Sequence, residues 1–113
     1  MNREIKFRFW SKISKAMKTR KDSDADPYSP LPLNSPNYIT MQFTGLQDSD
    51  GNDIYEGDIV KPQQNPKGPF LISYVEGCFV LEDPLGSKHG ILLKWKPVKV
   101  LGNEFEDREL LDT

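Results

Sequence analysis

The stretch that decides the fold class lies at residues 70–81, which read FLISYVEGCFVL. Two runs rich in aliphatic and aromatic residues, Phe70–Val75 and Cys78–Leu81, flank the dipeptide Glu76-Gly77. This spacing is typical of two antiparallel strands joined by a tight turn, with the glycine at a positive φ. Residues 70–81 therefore predict a β-hairpin in the second half of the chain.

Further short strands are predicted before this hairpin. Tyr38–Thr44 is rich in β-branched and aromatic residues, and the turn formers of Asp48–Asn52 separate it from Ile54-Tyr55. Glu56-Gly57 then permits a sharp change of direction before a strand that begins at Ile59-Val60. The middle of the chain is thus expected to consist of strands and turns.

The residues after the hairpin predict a turn, two strands and a closing helical turn. Asp83–Gly90 has the composition of a longer turn. Ile91–Trp95 and Val98–Leu101 are apolar enough for two strands, and Pro97 is expected at the bend between them because it cannot donate to a ladder. In the acidic tail, three apolar residues are expected to anchor one closing helical turn: Phe105, Leu110 and Leu111.

Alternation predicts an N-terminal strand over Glu4–Trp10. The odd positions form an apolar face that we expect in the core: Ile5, Phe7 and Phe9. The even positions form a face that we expect toward solvent: Lys6, Arg8 and Trp10. Ser11–Lys15 favours a turn followed by a short strand, and the spacing of Ile13 and Met17 leaves one helical turn as the alternative.

A proline-rich stretch, Arg20–Asn37, separates this N-terminal part from the rest. Its prolines remove backbone donors and favour extended geometry in the preceding residues, so it predicts a loop or linker: Pro27, Pro30, Pro32 and Pro36. Its apolar residues leave open whether it docks on the protein or forms a polyproline-like linker: Tyr28, Leu31 and Leu33. We expect residues 1–37 to form the N-terminal hairpin and linker, and residues 38–113 a β-roll.

Composition excludes several classes of protein and site. The 113 residues include one cysteine, Cys78, and one histidine, His89, so neither an internal disulfide nor a Cys/His zinc set within one chain is possible. The sequence shows no membrane span or basic-then-apolar leader. Several short strands with no long amphipathic helix predict a mainly-β barrel or roll, without cofactor or metal, in the cytosol.

Charge is distributed unevenly along the chain. Residues 1–21 hold eight bases and one acid, a net charge of +7, whereas the remainder carries −9. This polarity suggests a basic arm that meets an anionic partner, or one that lies against the acidic body of its own or a neighbouring subunit. We favour the second interpretation, because free like charge repels without ordering anything.

The same arm carries the candidate binding residues. Aromatic residues interleaved with bases resemble the stacking and phosphate contacts of single-stranded nucleic-acid binders. The binding candidates are Lys6, Arg8, Trp10 and Lys12. Since Phe7 and Phe9 share the apolar face with Ile5, Trp10 is the aromatic residue expected to remain exposed.

No catalytic residue is predicted. The acids around Asp48 do not have calcium-loop spacing, since the sixth and twelfth loop positions hold Asp53 and Ile59 rather than glycine and glutamate, so an ordinary turn is favoured. Cys78, between Gly77 and Phe79, is expected to be an inert core residue rather than a nucleophile that acts with His89. Two further acids are expected to be turn and strand-entry residues rather than an acid/base pair: Glu56 and Asp58.

Several of these segments together resemble the YopX family of small phage and prophage proteins. The resemblance begins at Arg3–Trp10 and includes Gly77–Phe79 and Val100–Leu111. Its most specific positions lie in two runs, Met41–Leu46 and Ile54–Lys61, and include Met41, Gln42, Thr44, Gly45, Tyr55, Glu56, Gly57 and Asp58. The resemblance implies a C-terminal β-roll of the Src-homology-three type after a smaller N-terminal hairpin part. It also implies a phage or prophage setting, and it supplies no catalytic residues.

The sequence therefore predicts a non-enzymatic accessory protein of the bacterial cytoplasm that binds a host or phage protein or self-assembles into a homo-oligomer. Single-stranded nucleic-acid binding through the basic strand is the first alternative. An enzyme acting through Glu56 and Asp58, or through Cys78 and His89, is the second. Fold alone does not choose among these functions.

Overall fold

The structure is a computed structural model of the chain, and it describes residues 5–19, 36–64 and 66–111. These residues form nine strands and two 3₁₀ turns, with no α-helix among them, so the predicted mainly-β fold is confirmed. The strands are β1 Phe7–Ser11, β2 Ala16–Thr19, β3 Tyr38–Gln47, β4 Asp53–Tyr55, β5 Asp58–Pro62, β6 Phe70–Val75, β7 Cys78–Glu82, β8 Lys88–Ile91 and β9 Val98–Asn103. The 3₁₀ turns are Leu92–Trp95 and Arg108–Leu111.

The chain divides into two compact units, Met1–Phe43 and Thr44–Thr113. Strand β3 begins in the first unit and ends in the second. The division expected after residue 37 stays a prediction. Most of the expected proline-rich linker, Arg20–Asn37, lies outside the described residues, and its last two residues form a turn directly before β3.

In the first unit, strands β2, β1 and the start of β3 are hydrogen-bonded in that order, and both pairs are antiparallel. The turn at Lys12–Lys15 followed by β2 confirms the predicted turn and short strand, and excludes the single helical turn. Trp10 lies opposite Met17 on one side and Ile39 on the other. Because directly opposed residues share a face, these three side chains lie together.

The predicted division of β1 into a core face and a solvent face is wrong. Arg8 is 9% exposed and Trp10 is half-buried, whereas Ile5 is 63% exposed. Phe9 is buried, as expected. The physical reason lies in the register: Arg8 is paired with the buried Met41, so the face assigned to solvent also packs against protein.

In the second unit, five antiparallel strands are hydrogen-bonded in the order β8-β7-β6-β5-β9. The end of β3 is followed in its own sheet by β4. The hairpin of β6 and β7 confirms the prediction for residues 70–81, with Glu76 and Gly77 at φ values of 48° and 84°. The buried core of this unit consists of Ile54, Val60, Phe70, Ile72, Leu81, Leu92 and Val98.

Three predictions for this unit need correction. The turn expected over Asp83–Gly90 contains strand β8, and the strand expected over Ile91–Trp95 is a 3₁₀ turn. Leu92 is buried and Trp95 half-buried, whereas Leu93 and Lys94 between them are exposed; this is the three-residue period of a 3₁₀ turn and not the alternation of a strand. Cys78 is exposed rather than in the core. It is the first residue after the hairpin turn, and burial in β7 begins two residues later.

Two other expectations about this unit hold. Pro97 lies at the bend between the first 3₁₀ turn and β9, and the preceding Lys96 has the extended backbone that proline favours. The expected closing helical turn is the short Arg108–Leu111 segment, in which Leu111 is buried. Strand β9 is longer than predicted and runs to Asn103.

Candidate functional site

The tip of the β1–β2 hairpin is held by the residue that ends β1. Ser11 is buried, and its carbonyl accepts a hydrogen bond of 2.9 Å from the amide of Lys15. Its hydroxyl accepts a second hydrogen bond, of 3.1 Å, from the amide of Ser14. Lys15 adopts a left-handed backbone with φ of 54°, which completes the reversal. Ser11 therefore holds the backbone of the turn Lys12–Lys15.

This tip presents positive charge and one apolar side chain. Ile13 is 75% exposed, and three lysines of the same hairpin are also exposed: Lys12, Lys15 and Lys18. Residues 5–19 contain no acid. None of the three lysines forms an ion pair with any residue in the described ranges. We refer to Lys12, Ile13, Lys15 and Lys18 as the hairpin tip.

The four predicted binding residues occupy different environments. Lys12 belongs to the hairpin tip. The Lys6 ammonium lies 4.6 Å from the centroid of the Phe43 ring, a cation–π contact. Arg8 is buried and Trp10 is half-buried. The binding roles of these four residues stay predictions, and the structure adds Ile13, an apolar residue in a polar turn that sequence reasoning passed over.

The first of the two runs on which the family resemblance rests, Met41–Leu46, lies within β3. The hydroxyl of Thr44 donates a 2.7 Å hydrogen bond to the carbonyl of Ile54 and accepts one of 3.2 Å from the amide of Leu46. Gly45 has φ of 87°. Met41 is buried and Gln42 is half-buried. These contacts give Thr44 a structural role within the second unit.

The second run, Tyr55–Asp58, forms the turn between β4 and β5. Asp58 is 2% exposed, and its Oδ2 accepts a 2.8 Å hydrogen bond from the amide of Tyr55. Gly57 donates its amide to the carbonyl of Ile72 at 2.8 Å. Glu56 is half-buried within the same turn. The prediction that Glu56 and Asp58 are turn and strand-entry residues is confirmed.

Asp48 accepts the hydrogen bonds that hold the turn between β3 and β4. Its Oδ1 accepts hydrogen bonds from the amides of Asp50 and Asn52, and its Oδ2 accepts from the amide of Val100 and the side chain of Asn52. Burial alone would raise the pKa of Asp48, but the backbone amides of Val100 and Asn52 and the Asn52 side chain hold it below its usual value. The predicted turn at Asp48–Asn52 is confirmed.

A second aspartate orients the histidine. The Nε2 atom of His89 lies 2.8 Å from Oδ2 of Asp83, and the His89 ring lies 5.1 Å from the ring of Phe70. The hydrogen bond from His89, followed by the amide of Ser87, lowers the pKa of Asp83. Sequence reasoning missed this pair. Its only signal was an acid and a histidine at opposite ends of one turn.

Cys78 and His89 do not share a recess. Cys78 lines an apolar depression with Thr44, Phe79 and Leu92, whereas His89 lines another depression. Within residues 5–19, 36–64 and 66–111, no three histidine, cysteine or acidic side chains gather as a metal site. In the same part of the chain, no helix has the length and apolar character to cross a membrane.

Comparison with known proteins places this arrangement in a family. The family model described as YopX protein matches residues 3–112, which is nearly the whole chain. The chain belongs to the YopX family. The prediction of this family, made in part from Met41–Leu46 and Ile54–Lys61, is therefore confirmed.

The fold is also found in a solved structure. The protein EF1440 from Enterococcus faecalis is similar to this chain with a TM-score of 0.67 and 25% sequence identity, over 97% of this chain and 99% of that one. No curated protein matches the chain. The family model and the solved structure therefore each match nearly the whole chain.

Proposed function

We propose that this YopX-family protein is a non-enzymatic accessory protein of a phage or prophage, which binds an acidic protein surface through the hairpin tip. The observation that supports this proposal is the tip itself, where the exposed Ile13 shares the turn held by Ser11 with the exposed Lys12 and Lys15, and where β2 adds the exposed Lys18. An apolar anchor surrounded by charge is typical of protein interfaces. Family membership supports the phage setting, and we place the protein in the bacterial cytoplasm.

The acidic surface that we propose first is the second unit of another copy of this chain. Residues 44–113 hold thirteen acids and seven bases, a net charge of −6. The first unit, residues 1–43, holds eight bases and four acids, a net charge of +4. Opposite charges on two parts of one chain favour head-to-tail association between copies, which closes into a ring or continues as a filament.

The second unit is further proposed to be a small roll of the Src-homology-three type, as the family resemblance implied. Five antiparallel strands and the 3₁₀ turn Leu92–Trp95, which precedes β9, support this assignment. The proline-rich stretch before Tyr38 is proposed as the connection between the N-terminal hairpin and β3, whose end leads into this roll. In this arrangement the roll supplies the acidic surface and the hairpin supplies the basic one.

Light scattering coupled to size-exclusion chromatography tests self-association. At an ionic strength of about 0.01 M the Debye length is about 30 Å, and at about 1 M it is about 3 Å. We expect a mass above 13.0 kDa at low salt and a monomer at high salt. The double variant Lys12→Glu/Lys15→Glu is expected to be monomeric at both.

A matched control changes the same amount of charge elsewhere. Lys94 and Lys96 are exposed lysines of the second unit, and Lys94→Glu/Lys96→Glu is expected to keep the salt-dependent assembly. A wild-type protein that is monomeric at both salt concentrations would exclude the second copy as the partner. Retention of a host or phage protein by the wild type and the control variant, but not by Lys12→Glu/Lys15→Glu, would then identify another acidic partner.

Single-stranded nucleic-acid binding is the competing proposal, and it makes a different prediction. It requires Trp10 to stack on bases, so Trp10→Ala should abolish binding of a single-stranded oligonucleotide, and affinity should fall steeply with salt. The burial of Arg8 and the half-burial of Trp10 count against phosphate contact and base stacking by these two residues. Fluorescence anisotropy at low salt decides between the two, since no oligonucleotide binding is expected from a protein-binding module.

A further inference from the structure

A recess of the second unit lies beside His89, and the side chains that line it are held by contacts within the protein. It has a volume of about 290 Å³ and is lined mainly by Lys67, Pro69, Phe70, Asp83, Pro84 and His89. His89 is held in three ways: by the Asp83 carboxylate, by the Phe70 ring, and by the Trp95 indole, which donates a 2.9 Å hydrogen bond to its carbonyl. The floor is therefore arranged before any ligand arrives.

The two loops beside this floor are braced independently. The Lys61 ammonium donates hydrogen bonds to the carbonyls of Pro66 and Lys67, at 2.8 and 2.6 Å. On the other side, Oδ1 of Asp83 accepts hydrogen bonds from the amides of Leu85 and Ser87, at 2.9 and 3.0 Å. Both sides of the recess are thus fixed by contacts within the second unit, as a preorganised site requires.

The hydrogen bond to Asp83 determines what the imidazole can offer. An ionised carboxylate only accepts, so Nε2 of His89 carries the proton, and Nδ1 is the remaining nitrogen. Nδ1 makes no hydrogen bond to any residue in the described part of the chain. In the neutral ring it accepts a hydrogen bond, and in the charged ring it donates one. A hydroxyl group satisfies both states, because it both donates and accepts.

We propose that this recess binds a phenolic ring, with the hydroxyl on Nδ1 of His89 and the ring against Pro69, Phe70 and Pro84. Its volume is at the lower end of ligand sites, which start at roughly 300 Å³, so it takes one ring rather than a larger ligand. A tyrosine side chain of a protein and a free small phenol share this chemistry. The inference does not depend on the function proposed for the hairpin tip.

Nuclear magnetic resonance of labelled histidine tests this site directly, because the chain has a single histidine. Wild-type protein is titrated with N-acetyltyrosinamide and with N-acetylphenylalaninamide, which lacks the hydroxyl. We expect saturable shifts of the His89 signals and an affinity for the tyrosine probe about three- to tenfold higher, the value of one hydrogen bond. Titration with p-cresol distinguishes a free phenol from a tyrosine residue, since equal affinity shows that the ring alone is recognised.

A positioning variant and a matched control complete the experiment. Asp83→Ala removes every hydrogen-bond partner of the ring at this position and is expected to abolish the preference for tyrosine, whereas the exposed Asp50→Ala is expected to preserve it. Circular dichroism verifies that both variants are folded. Absence of a saturable His89 shift in the wild type, or equal affinity for the two amino-acid probes, would overturn the proposal without reference to either variant.

Discussion

Two aspartate-centred turns of the second unit, Asp48–Asn52 and Asp83–Ser87, share half of their chemistry and differ in the other half. In both, Oδ1 accepts hydrogen bonds from two backbone amides of the same turn, at distances between 2.8 and 3.0 Å. The other oxygen of Asp48 accepts from the amide of Val100, 52 residues away. The other oxygen of Asp83 contacts the imidazole of His89.

The comparison shows that the second carboxylate oxygen decides what such a turn does. At Asp48, which is 6% exposed, that oxygen ties the turn to β9, and the amide of Ser49 adds a second tie to the carbonyl of Val98. At the half-buried Asp83, it orients a titratable side chain instead. The same local motif therefore ties its turn to strand β9 in one place and positions a histidine in the other.

The largest expected difference is in stability. Asp48→Asn replaces one accepting oxygen by an amide nitrogen that can only donate, so the amide of the half-buried Val100 and the Asn52 side chain lose their acceptor, and an unsatisfied buried donor costs about 1–3 kcal/mol. We expect a loss of about 2–3 kcal/mol in the free energy of unfolding, measured by urea denaturation. Asp83→Asn is expected to lose less, because its turn is more exposed.

The exposed Asp50→Asn is the control for this pair of variants, since the Asp50 side chain is 56% exposed. It is expected to unfold at nearly the same urea concentration as the wild type. Equal losses for Asp48→Asn and Asp83→Asn would contradict the comparison, because they would show that the amides within the turn, and not the second oxygen, determine the stability.

The next largest effect is expected in the pH dependence of the free energy of unfolding. The hydrogen bonds at both aspartates hold their pKa values below the usual 3.8, so the unfolded chain binds protons more tightly than the folded one. The stability that these carboxylates contribute is complete above the unfolded pKa, near 3.9, and is lost as the pH falls through the lower folded values. The free energy of unfolding, measured from pH 6 downward, is expected to fall as the acids become protonated.

The two variants separate the contributions to this slope. Asp48→Asn and Asp83→Asn each remove one titrating group whose pKa is lowered in the folded chain, and each is expected to flatten the acid side of the stability curve. A slope unchanged in Asp48→Asn would show that other carboxylates account for the acid unfolding.

Most of the strands could be predicted because their signals are local. The hairpin at residues 70–81, the turn at Asp48–Asn52 and the β1–β2 reversal each depend on a few neighbouring residues. The 3₁₀ turn at Leu92–Trp95 could not be predicted, because its apolar composition also suits a strand, and the hydrogen bond from the Trp95 indole to the carbonyl of His89 joins it to a residue outside the turn. The burial of Arg8 likewise depends on a partner strand 33 residues away, opposite Met41.

The residues of the candidate sites could likewise be predicted only where the signal is local in the sequence. Lys12 was predicted as a binding candidate because charge can be read from the sequence, but the exposure of Ile13 depends on Ser11 holding the turn. The pairing of Asp83 with His89 needed the position of β8, which the sequence did not indicate. Local chemistry could therefore be predicted, whereas orientation and burial came from contacts between elements.

The smallest expected effect compares one neighbour in each turn. The Asn52 side chain donates a 3.3 Å hydrogen bond to Oδ2 of Asp48, whereas Ser87 contacts Asp83 only through its backbone. Asn52→Ala should therefore cost about 0.5 kcal/mol, the low end for a hydrogen bond at this length, and Ser87→Ala should leave the unfolding curve unchanged. A loss at Ser87→Ala as large as that at Asn52→Ala would mean that the serine hydroxyl also supports its turn, and the two turns would then differ only in the partner of the second carboxylate oxygen.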